Sequence, residues 1–189
     1  MIIPYNKVLL RDQDEKDIED EIRWMTKETG WIKADTPWES IMQVNTDELR
    51  NQIIENISFI KPDIIRNRLE ISVEGKHIGF VSVYPFEVNT NQKSVQYTIE
   101  QKAIGIEICE PAFRNQGYGT DALHAWVNYL LEHIHSDIYL ETWSGNISMI
   151  KCAEKCGFQL YERQVGKHIV DSIPIDVLIY KLNANKTEK

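Results

Sequence analysis

The segment FRNQGYGTDAL, residues 113–123, lies where a β-strand pattern gives way to a helical pattern. The run KAIGIEICE before it, residues 102–110, is rich in β-branched residues and predicts a strand, and the apolar residues after it recur at helical spacing. Arg114, Gly117 and Gly119 stand between the two patterns. Because a glycine has no Cβ to hold another group away, this spacing predicts a loop whose backbone approaches a ligand closely.

The start of the helix after this loop is a predicted anion site. The first N–H groups of a helix have no backbone partners and carry the positive end of the helix dipole. Gly117 and Gly119 leave these donors accessible and Arg114 adds a cation, so the loop suits a phosphate or pyrophosphate group. The alternative is a glycine-rich turn that only connects strand to helix. The strand before the loop and the helix after it favour the functional interpretation.

Length and composition indicate one globular domain. The chain has 189 residues, 42% of them hydrophobic, which is enough for one core. No apolar run approaches the roughly 20 residues that a membrane span needs, and the segment MIIPYNKVLLRD does not resemble a secretory signal. We therefore expect a cytoplasmic protein without a membrane partner, with a single domain over residues 1–183 and a disordered tail over residues 184–189.

Charge and cysteine content narrow the possible partners. The net charge of −8, from 21 basic and 29 acidic residues, disfavours nucleic acid as a partner and is compatible with a cationic substrate. Cys152 and Cys156 lie four apart without a neighbouring histidine or further cysteine, which makes a poor metal site. We therefore expect no bound metal, and we expect the cysteines to be buried packing residues in a reducing compartment. The protein is expected to be a monomer or a homodimer.

The order of the patterns along the chain indicates a mixed α/β (α+β) domain. Residues 14–26 and 46–57 carry helical stripes, with Thr46 as the expected N-cap of the second, and the segment GWIKADTPWES, residues 30–40, interrupts them. Three β-branched runs between residues 68 and 110 predict an antiparallel meander, with a polar loop or hairpin tip at residues 87–94. After the helix that follows the glycine loop come a strand, a short helix and two more strands.

One competing motif overlaps the glycine loop. The spacing Gly117-x-Gly119-x-x-Ala122 also fits the dinucleotide-binding fingerprint, and Glu141 falls at the distance expected for its acidic residue. That fold places the glycines almost directly after its first strand and continues with further β–α–β units, whereas here a long region of other structure precedes the loop. A dinucleotide-binding reductase is therefore the weakest alternative.

Two motifs together carry a family resemblance. The first is R-x-x-G-x-G, from Arg114 to Gly119, after an extended strand; the second is TWSGNISM, residues 142–149, followed by EKCGF, residues 154–158. In this order and spacing they resemble the GNAT superfamily of N-acetyltransferases, and most of all its ribosomal-protein N-acetyltransferase-like branch. The resemblance implies a GNAT-like acyl-CoA N-acyltransferase fold, with a central, mostly antiparallel sheet of six to seven strands and four helices.

The same resemblance implies the activity and the cofactor. It implies direct transfer of an acetyl group from acetyl-CoA to a primary amine, carried by a small molecule or a peptide, in a ternary complex. The glycine loop would hold the pyrophosphate through Arg114, Asn115, Gln116, Gly117, Tyr118, Gly119 and Thr120. The backbone of Ile106, Ile108 and Cys109 would pair with the pantetheine arm and place one N–H at the thioester oxygen. Asn146 matches an asparagine that contacts the cofactor.

Transfer to an amine needs a base, because the ammonium form must first lose a proton. Strand alternation puts Gly105, Glu107 and Cys109 on one face of the predicted strand. A carboxylate in a covered strand is unfavourable without a role or a partner, so Glu107 is the first candidate base. A structural ion pair or a wetter sheet face is the alternative, and Glu141 and Glu110 are further candidates.

The departing thiolate also gains from a proton donor. Many members of the family carry a tyrosine directly before E-K-x-G-F, and here Ala153 stands in its place. Asn146, Ser148 or a water molecule is the candidate substitute. The alanine in place of the family's tyrosine also motivates an alternative function, a non-catalytic acyl-CoA-binding sensor or partner module that has kept the cofactor loop.

The acceptor amine is expected to meet the N-terminal helical region. The resemblance places the acceptor site there in part, and the candidate substrate-binding residues are Trp31, Asp35, Trp38, Glu39 and Glu141. Indole rings present faces that attract a cation. The alternative, which we favour for the tryptophans, is that they pack the first helices onto the sheet.

Overall fold

The computed structural model describes residues 1–41, 43–92, 95–134 and 136–183, so that the tail expected at residues 184–189 lies outside the described part. The strands in chain order are β1 (Ile2–Tyr5), β2 (Val8–Arg11), β3 (Arg68–Val73), β4 (Lys76–Gln92), β5 (Val95–Ile108), β6 (Ile138–Trp143), β7 (Gln159–Val170) and β8 (Ile173–Leu182). The helices are α1 (Ile18–Thr26), α2 (Gly30–Asp35), α3 (Thr46–Ser58), α4 (Tyr118–His133) and α5 (Ile147–Lys155).

All eight strands belong to one mixed sheet in the order β1-β2-β3-β4-β5-β6-β8-β7. Neighbouring strands are antiparallel except β5 and β6, which α4 connects and which pair in parallel only at Lys102–Ile138 and Ala103–Tyr139. Beyond these pairs β5 continues to Ile108 without β6 beside it. The sheet therefore splits between β5 and β6, and one backbone edge of β5 has no strand partner there.

The main core lies between the sheet and the helices α4 and α5. Leu123, Trp126 and Leu130 of α4 are fully buried against apolar strand residues such as Ile71 and Ile104. These α4 residues recur at helical spacing, which is why the amphipathic pattern could be recognised in the sequence. Burial of this stripe fixes α4, and with it the loop before α4, against the end of β5.

The opposite face of the sheet carries α1 and a buried network of charged groups. Glu70 of β3 is fully buried, and it accepts a hydrogen bond from Arg68 at 2.8 Å and lies 2.9 Å from the His77 ring. Arg68 also donates to Glu21 of α1 at 2.6 Å. Burial raises the pKa of Glu21 to about 7. The network joins α1 to the sheet through paired charges, as buried charges require.

The architecture confirms the expected mixed α/β fold with a mostly antiparallel sheet. The described residues contain eight strands and five helices, one more of each than the upper expectation. The additions are β1 and α2, which have four and six residues and are too short to show a clear periodicity. The sheet also excludes the doubly wound parallel fold of a dinucleotide-binding reductase.

Two boundaries differ from the expectation. The polar residues 87–92 belong to β4 and pair in register with β5, so the hairpin is longer than its composition suggested. The helix α3 is capped by Asn45, one residue before the expected Thr46, through bonds from the Asp47 and Glu48 N–H groups. No helix in the described part of the chain has the length and apolar character to cross a membrane.

Candidate active site

The glycine loop leads directly into α4, and its geometry leaves the helix start uncapped. Gly117 is the N-cap residue and has a φ of 90°, in the left-handed region that favours glycine. No side chain caps the helix, and the first helical hydrogen bond runs from the Asp121 N–H to the Gly117 carbonyl. A Cβ built at Gly117 would meet nothing within 4 Å. The N–H groups of residues 118–120 are therefore available to an anion.

Arg114 holds the loop onto the end of β5. Its Nε donates to the Ile108 carbonyl at 2.8 Å and its Nη2 donates to the Cys109 carbonyl at 3.1 Å. A Cβ at Gly119 would lie 3.7 Å from Ile108, an ordinary contact, so the requirement for glycine is stronger at Gly117. The guanidinium thus positions the loop while it remains part of a cavity wall.

A first cavity of about 440 Å³ lies where β5, the glycine loop and α5 meet. From β5 and the loop, its lining contains Ile106, Glu107, Ile108, Phe113, Arg114, Asn115, Gly117, Gly119 and Thr120. From the start of α5 and the turn before it come Asn146, Ile147, Ser148, Met149, Lys151, Cys152 and Lys155. The cavity therefore occupies the split in the sheet, with the uncapped helix start at one side.

The start of α5 is held in place by a capping bond and a contact to the loop. The Asn146 side chain accepts a hydrogen bond from the Met149 N–H at 3.1 Å and so caps α5. The Ser148 hydroxyl donates to the Asn115 side-chain oxygen at 3.3 Å. Ala153 is fully buried in the core and is not part of the cavity lining, so the hydroxyl that α5 presents to the cavity is that of Ser148.

A second cavity of about 330 Å³ borders the first on the α2 face of the sheet. Its walls are formed by α2 and the turn after it, by β4 and β5, and by the end of β6. Several contacts hold the α2 wall. Among them, the Trp143 indole N–H donates to the Ala34 carbonyl at 2.9 Å, and Trp38 stacks on His168 with ring centroids 4.1 Å apart.

Glu107 lines both cavities and stands where they meet. It lies opposite Phe80 of β4, on the sheet face that α1 and α2 cover. Burial is the main reason why the pKa of Glu107 lies well above its ordinary value; the negative charge of Asp35 adds to the shift and Arg114 opposes it. A carboxyl group in this position is a stronger base than an exposed one once it is ionised.

Asp35 of α2 also lines both cavities. Burial, together with the carboxylates of Glu39 and Glu141, raises the pKa of Asp35 to about 6. The pKa of Tyr84 rises to about 12, because of burial first and then because of Glu141, Asp35 and Glu107. The second cavity therefore brings the carboxyl groups of Asp35, Glu107 and Glu141 close enough to influence one another.

The structure brings most of the predicted site residues together. The first cavity collects Ile106, Glu107, Ile108, Arg114, Asn115, Gly117, Gly119, Thr120, Asn146 and Ser148, and the second collects Trp31, Asp35, Trp38 and Glu141. Five predicted residues lie outside both linings. They are Cys109, which is buried, Gln116 of the loop, Tyr118 at the start of α4, Glu39, which is exposed, and Glu110, which accepts hydrogen bonds from Arg23 and Trp24.

The structure also adds residues that sequence reasoning missed. Phe80, Ser82 and Tyr84 of β4 line the second cavity, and Met149 and Cys152 of α5 line the first. The β4 side chains reach the site because they pair with Glu107, Gly105 and Ala103 across the strand. Only the strand register provides that signal, and it follows from pairing and not from the local sequence.

The family of the chain follows from a direct match. Residues 7–159 match the family model of the acetyltransferase (GNAT) domain, which agrees with the split sheet and the uncapped helix at the split. The chain belongs to this acetyltransferase family. The search of curated protein sequences gave no match.

Solved structures share the fold over nearly the whole chain. RimL, a ribosomal alpha-N-protein acetyltransferase in complex with coenzyme A, has a TM-score of 0.70 at 17% identity, with 97% of this chain and 98% of that one covered. The spermidine N-acetyltransferase of Vibrio cholerae, in complex with coenzyme A and spermine, has a TM-score of 0.69 at 18% identity, with 95% of this chain and 97% of that one covered. A GNAT-family acetyltransferase from Bacillus anthracis has a TM-score of 0.69 at 15% identity, with 98% of this chain and 100% of that one covered.

Proposed function

We propose that residues 1–183 form a single domain that transfers an acetyl group from acetyl-CoA to a primary amine, directly and in a ternary complex. The observation that carries the proposal is the position of Glu107 in the walls of two adjoining cavities. Two substrates that must meet at one base need this arrangement. Membership of the acetyltransferase family and relatives solved with coenzyme A support the choice of cofactor.

The first cavity has the groups that acetyl-CoA requires. The uncapped N–H groups of residues 118–120 and the open space beside Gly117 suit the pyrophosphate. Where β6 no longer pairs with β5, the edge of β5 offers main-chain N–H and C=O groups. The amides of the pantetheine arm can bond to these groups as a neighbouring strand would. Lys151 and Lys155 of α5 add positive charge to the same wall.

Bound acetyl-CoA supplies the acetyl group as a thioester, whose C–S bond breaks as the new N–C bond forms. Glu107 takes the proton that the acceptor ammonium must lose before it attacks. A backbone N–H at the unpaired end of β5 stabilises the negative charge that develops on the carbonyl oxygen. Ser148 and Asn146, at the opposite wall, donate hydrogen bonds to the departing thiolate, which receives the second proton that the acceptor nitrogen loses as the amide forms.

Calorimetric titration with coenzyme A and release of free thiol from acetyl-CoA test the two halves of the proposal. A folded sample should bind coenzyme A in the micromolar to low millimolar range and release thiol when a primary amine is added. Absence of binding at millimolar coenzyme A would contradict the cofactor assignment.

Glu107→Gln tests the base. We expect kcat to fall by roughly 10²–10⁴-fold, the usual contribution of a general base. The parent rate should rise with pH through the raised pKa of Glu107, and the variant should lose this limb and keep only the titration of the amine itself. Glu87→Gln is the control, because Glu87 is exposed and lies on β4 outside both cavity linings. A pH–rate profile that is unchanged in Glu107→Gln would remove Glu107 as the base.

The second candidate function is a non-catalytic acyl-CoA-binding module. It is motivated by Ala153, which provides no hydroxyl and is buried in the core. This alternative predicts binding of coenzyme A without thiol release for any amine. Turnover with a single amine excludes it.

A further inference from the structure

Among the described residues that line the second cavity, three carry carboxyl groups and none is basic. Asp35, Glu107 and Glu141 contribute their side chains to its walls, from α2, β5 and β6. Within the described part of the chain, none of the three forms an ion pair or a side-chain hydrogen bond. The nearby cations have other partners. Arg68 stacks on Phe80 with 4.0 Å to the ring centroid and pairs with Glu70 and Glu21. Arg114 opposes the rise in the pKa of Glu107 but donates its hydrogen bonds to the Ile108 and Cys109 carbonyls.

The sheet itself brings two of these carboxylates to one side. Ala103 pairs with Tyr139, and Glu107 and Glu141 follow them at even spacings on two neighbouring strands. Because side chains alternate along a strand, Glu107 and Glu141 project from the same face. The pairing of the strands therefore brings both carboxyl groups to the same side of the sheet.

Unpaired like charges in a half-buried cavity are unfavourable unless something compensates them. Burial is the main cause of the raised pKa values of Asp35 and Glu107, and a neighbouring carboxylate adds to each shift. One acceptor ammonium accounts for one carboxylate, that of Glu107. The negative charge of Asp35 and Glu141 is left for a second cation.

Other groups of the cavity also fit a polyvalent amine. Trp31 and Trp38 provide aromatic faces that attract cations, and Trp38 is fixed by its stack on His168.

We propose that the acceptor is a small diamine or polyamine: the reacting nitrogen lies at Glu107, and a second positively charged nitrogen is bound by Asp35 and Glu141. This rests on the function proposed above. A peptide N-terminus with no other charge leaves Asp35 and Glu141 without a counter-charge and is therefore a poorer acceptor. The net charge of −8 adds a long-range attraction for such a substrate.

Matched amines test the proposal. Thiol release is measured at saturating acetyl-CoA with diaminobutane, with butylamine, which lacks the second nitrogen, and with aminobutanol, in which a hydroxyl replaces it. We expect kcat/KM to be higher for the diamine by about tenfold or more, mainly through a lower KM, as for a charge-assisted contact. The advantage should shrink as the salt concentration rises. Equal kcat/KM for all three amines would overturn the diamine proposal.

Glu141→Gln tests whether Glu141 binds the second nitrogen of the diamine. We expect the advantage of the diamine over butylamine to fall below about threefold in this variant, since one of the two carboxylates is neutralised. Glu132→Gln is the control, because Glu132 is exposed on α4, the helix on the opposite sheet face, and the full advantage should persist. An undiminished advantage in Glu141→Gln overturns the assignment.

The outcomes also separate this proposal from the one on which it rests. Thiol release with all amines at one rate, or fastest with an uncharged peptide that has a free N-terminus, overturns the diamine proposal and leaves the acetyltransferase intact. Absence of release with any amine, in a protein that binds coenzyme A, contradicts the proposed function itself.

Discussion

Gly79 of β4 packs directly against the main chain of Glu107. A Cβ built at Gly79 would lie 1.8 Å from the Glu107 carbonyl oxygen, a distance that no pair of non-bonded atoms tolerates. Gly79 pairs with Ile108 in the same register, so β4 approaches β5 at the point where the sheet splits. The absence of a side chain at Gly79 thus allows the backbone position that presents Glu107 to both cavities.

Gly79→Ala should therefore destabilise the protein and displace Glu107. We expect a loss of about 1–3 kcal/mol in the free energy of unfolding, the usual effect of overpacking, measured by urea denaturation. Gly30→Ala is the control, because a Cβ at Gly30 meets nothing within 4 Å. Equal stability of the two variants would contradict the close approach of the strands.

Gly117→Ala separates the strain of a left-handed residue from its effect on the ligand. Gly117 and Gly157 have φ values of 90° and 87°, and only Gly117 lines a cavity. Alanine at either position should lower stability by about 1–2 kcal/mol. Only Gly117→Ala should also weaken coenzyme A binding in calorimetric titration, because the strained first turn turns its N–H groups away. Equal affinity for coenzyme A in both variants would show that the pyrophosphate does not bind at Gly117.

Asn146→Ala tests whether a helix cap also contacts the cofactor. Asn146 caps α5 and Asn45 caps α3, each through its side-chain oxygen. Either replacement by alanine should cost about 1 kcal/mol of stability. We expect only Asn146→Ala to raise the KM for acetyl-CoA, since Asn146 lines the first cavity. A KM that is the same in the two variants would leave Asn146 with the capping role alone.

Asp35→Asn should change the pH dependence of stability. The pKa of Asp35 is raised from its ordinary 3.8 to about 6, so the folded state holds a proton that the unfolded state has lost between these values. The parent protein therefore loses stability as the pH rises through this window. The variant should match the parent near pH 4 and exceed it above pH 6, by roughly 1–3 kcal/mol. Asp63→Asn, at an exposed position, should show no such difference.

Arg68→Met tests the buried network beneath α1. Removal of the guanidinium leaves Glu70, which is fully buried, and Glu21 without their cation. Breaking such a pair costs about 3–5 kcal/mol, measured by thermal or urea unfolding. Arg50→Met removes the exposed pair with Glu19 and should have no measurable effect. A small loss in both variants would show that the network contributes specificity and little stability.

The acceptor side of the site shows why prediction from sequence was incomplete. The sequence makes Trp31, Asp35 and Trp38 acceptor-site candidates and favours packing against the sheet for the tryptophans. Trp24 is almost completely buried, and Trp31 packs edge-on against Phe80 of the sheet. Trp31 and Trp38 are partly buried and line the second cavity. The short helix that carries Trp31 and Asp35 is held by the Trp143 indole, far away in the chain. No local pattern reveals such a contact.

The sequence by itself determined the strand, the glycine loop and the helix that follows it, and through them the family, because backbone preferences and helical periodicity act between near neighbours in the chain. Only the tertiary structure decided that Glu107 stands between two cavities and that Asp35 and Glu141 face the same space. Those positions depend on strand register and on the split between β5 and β6, which arise when distant segments pair and exclude water together.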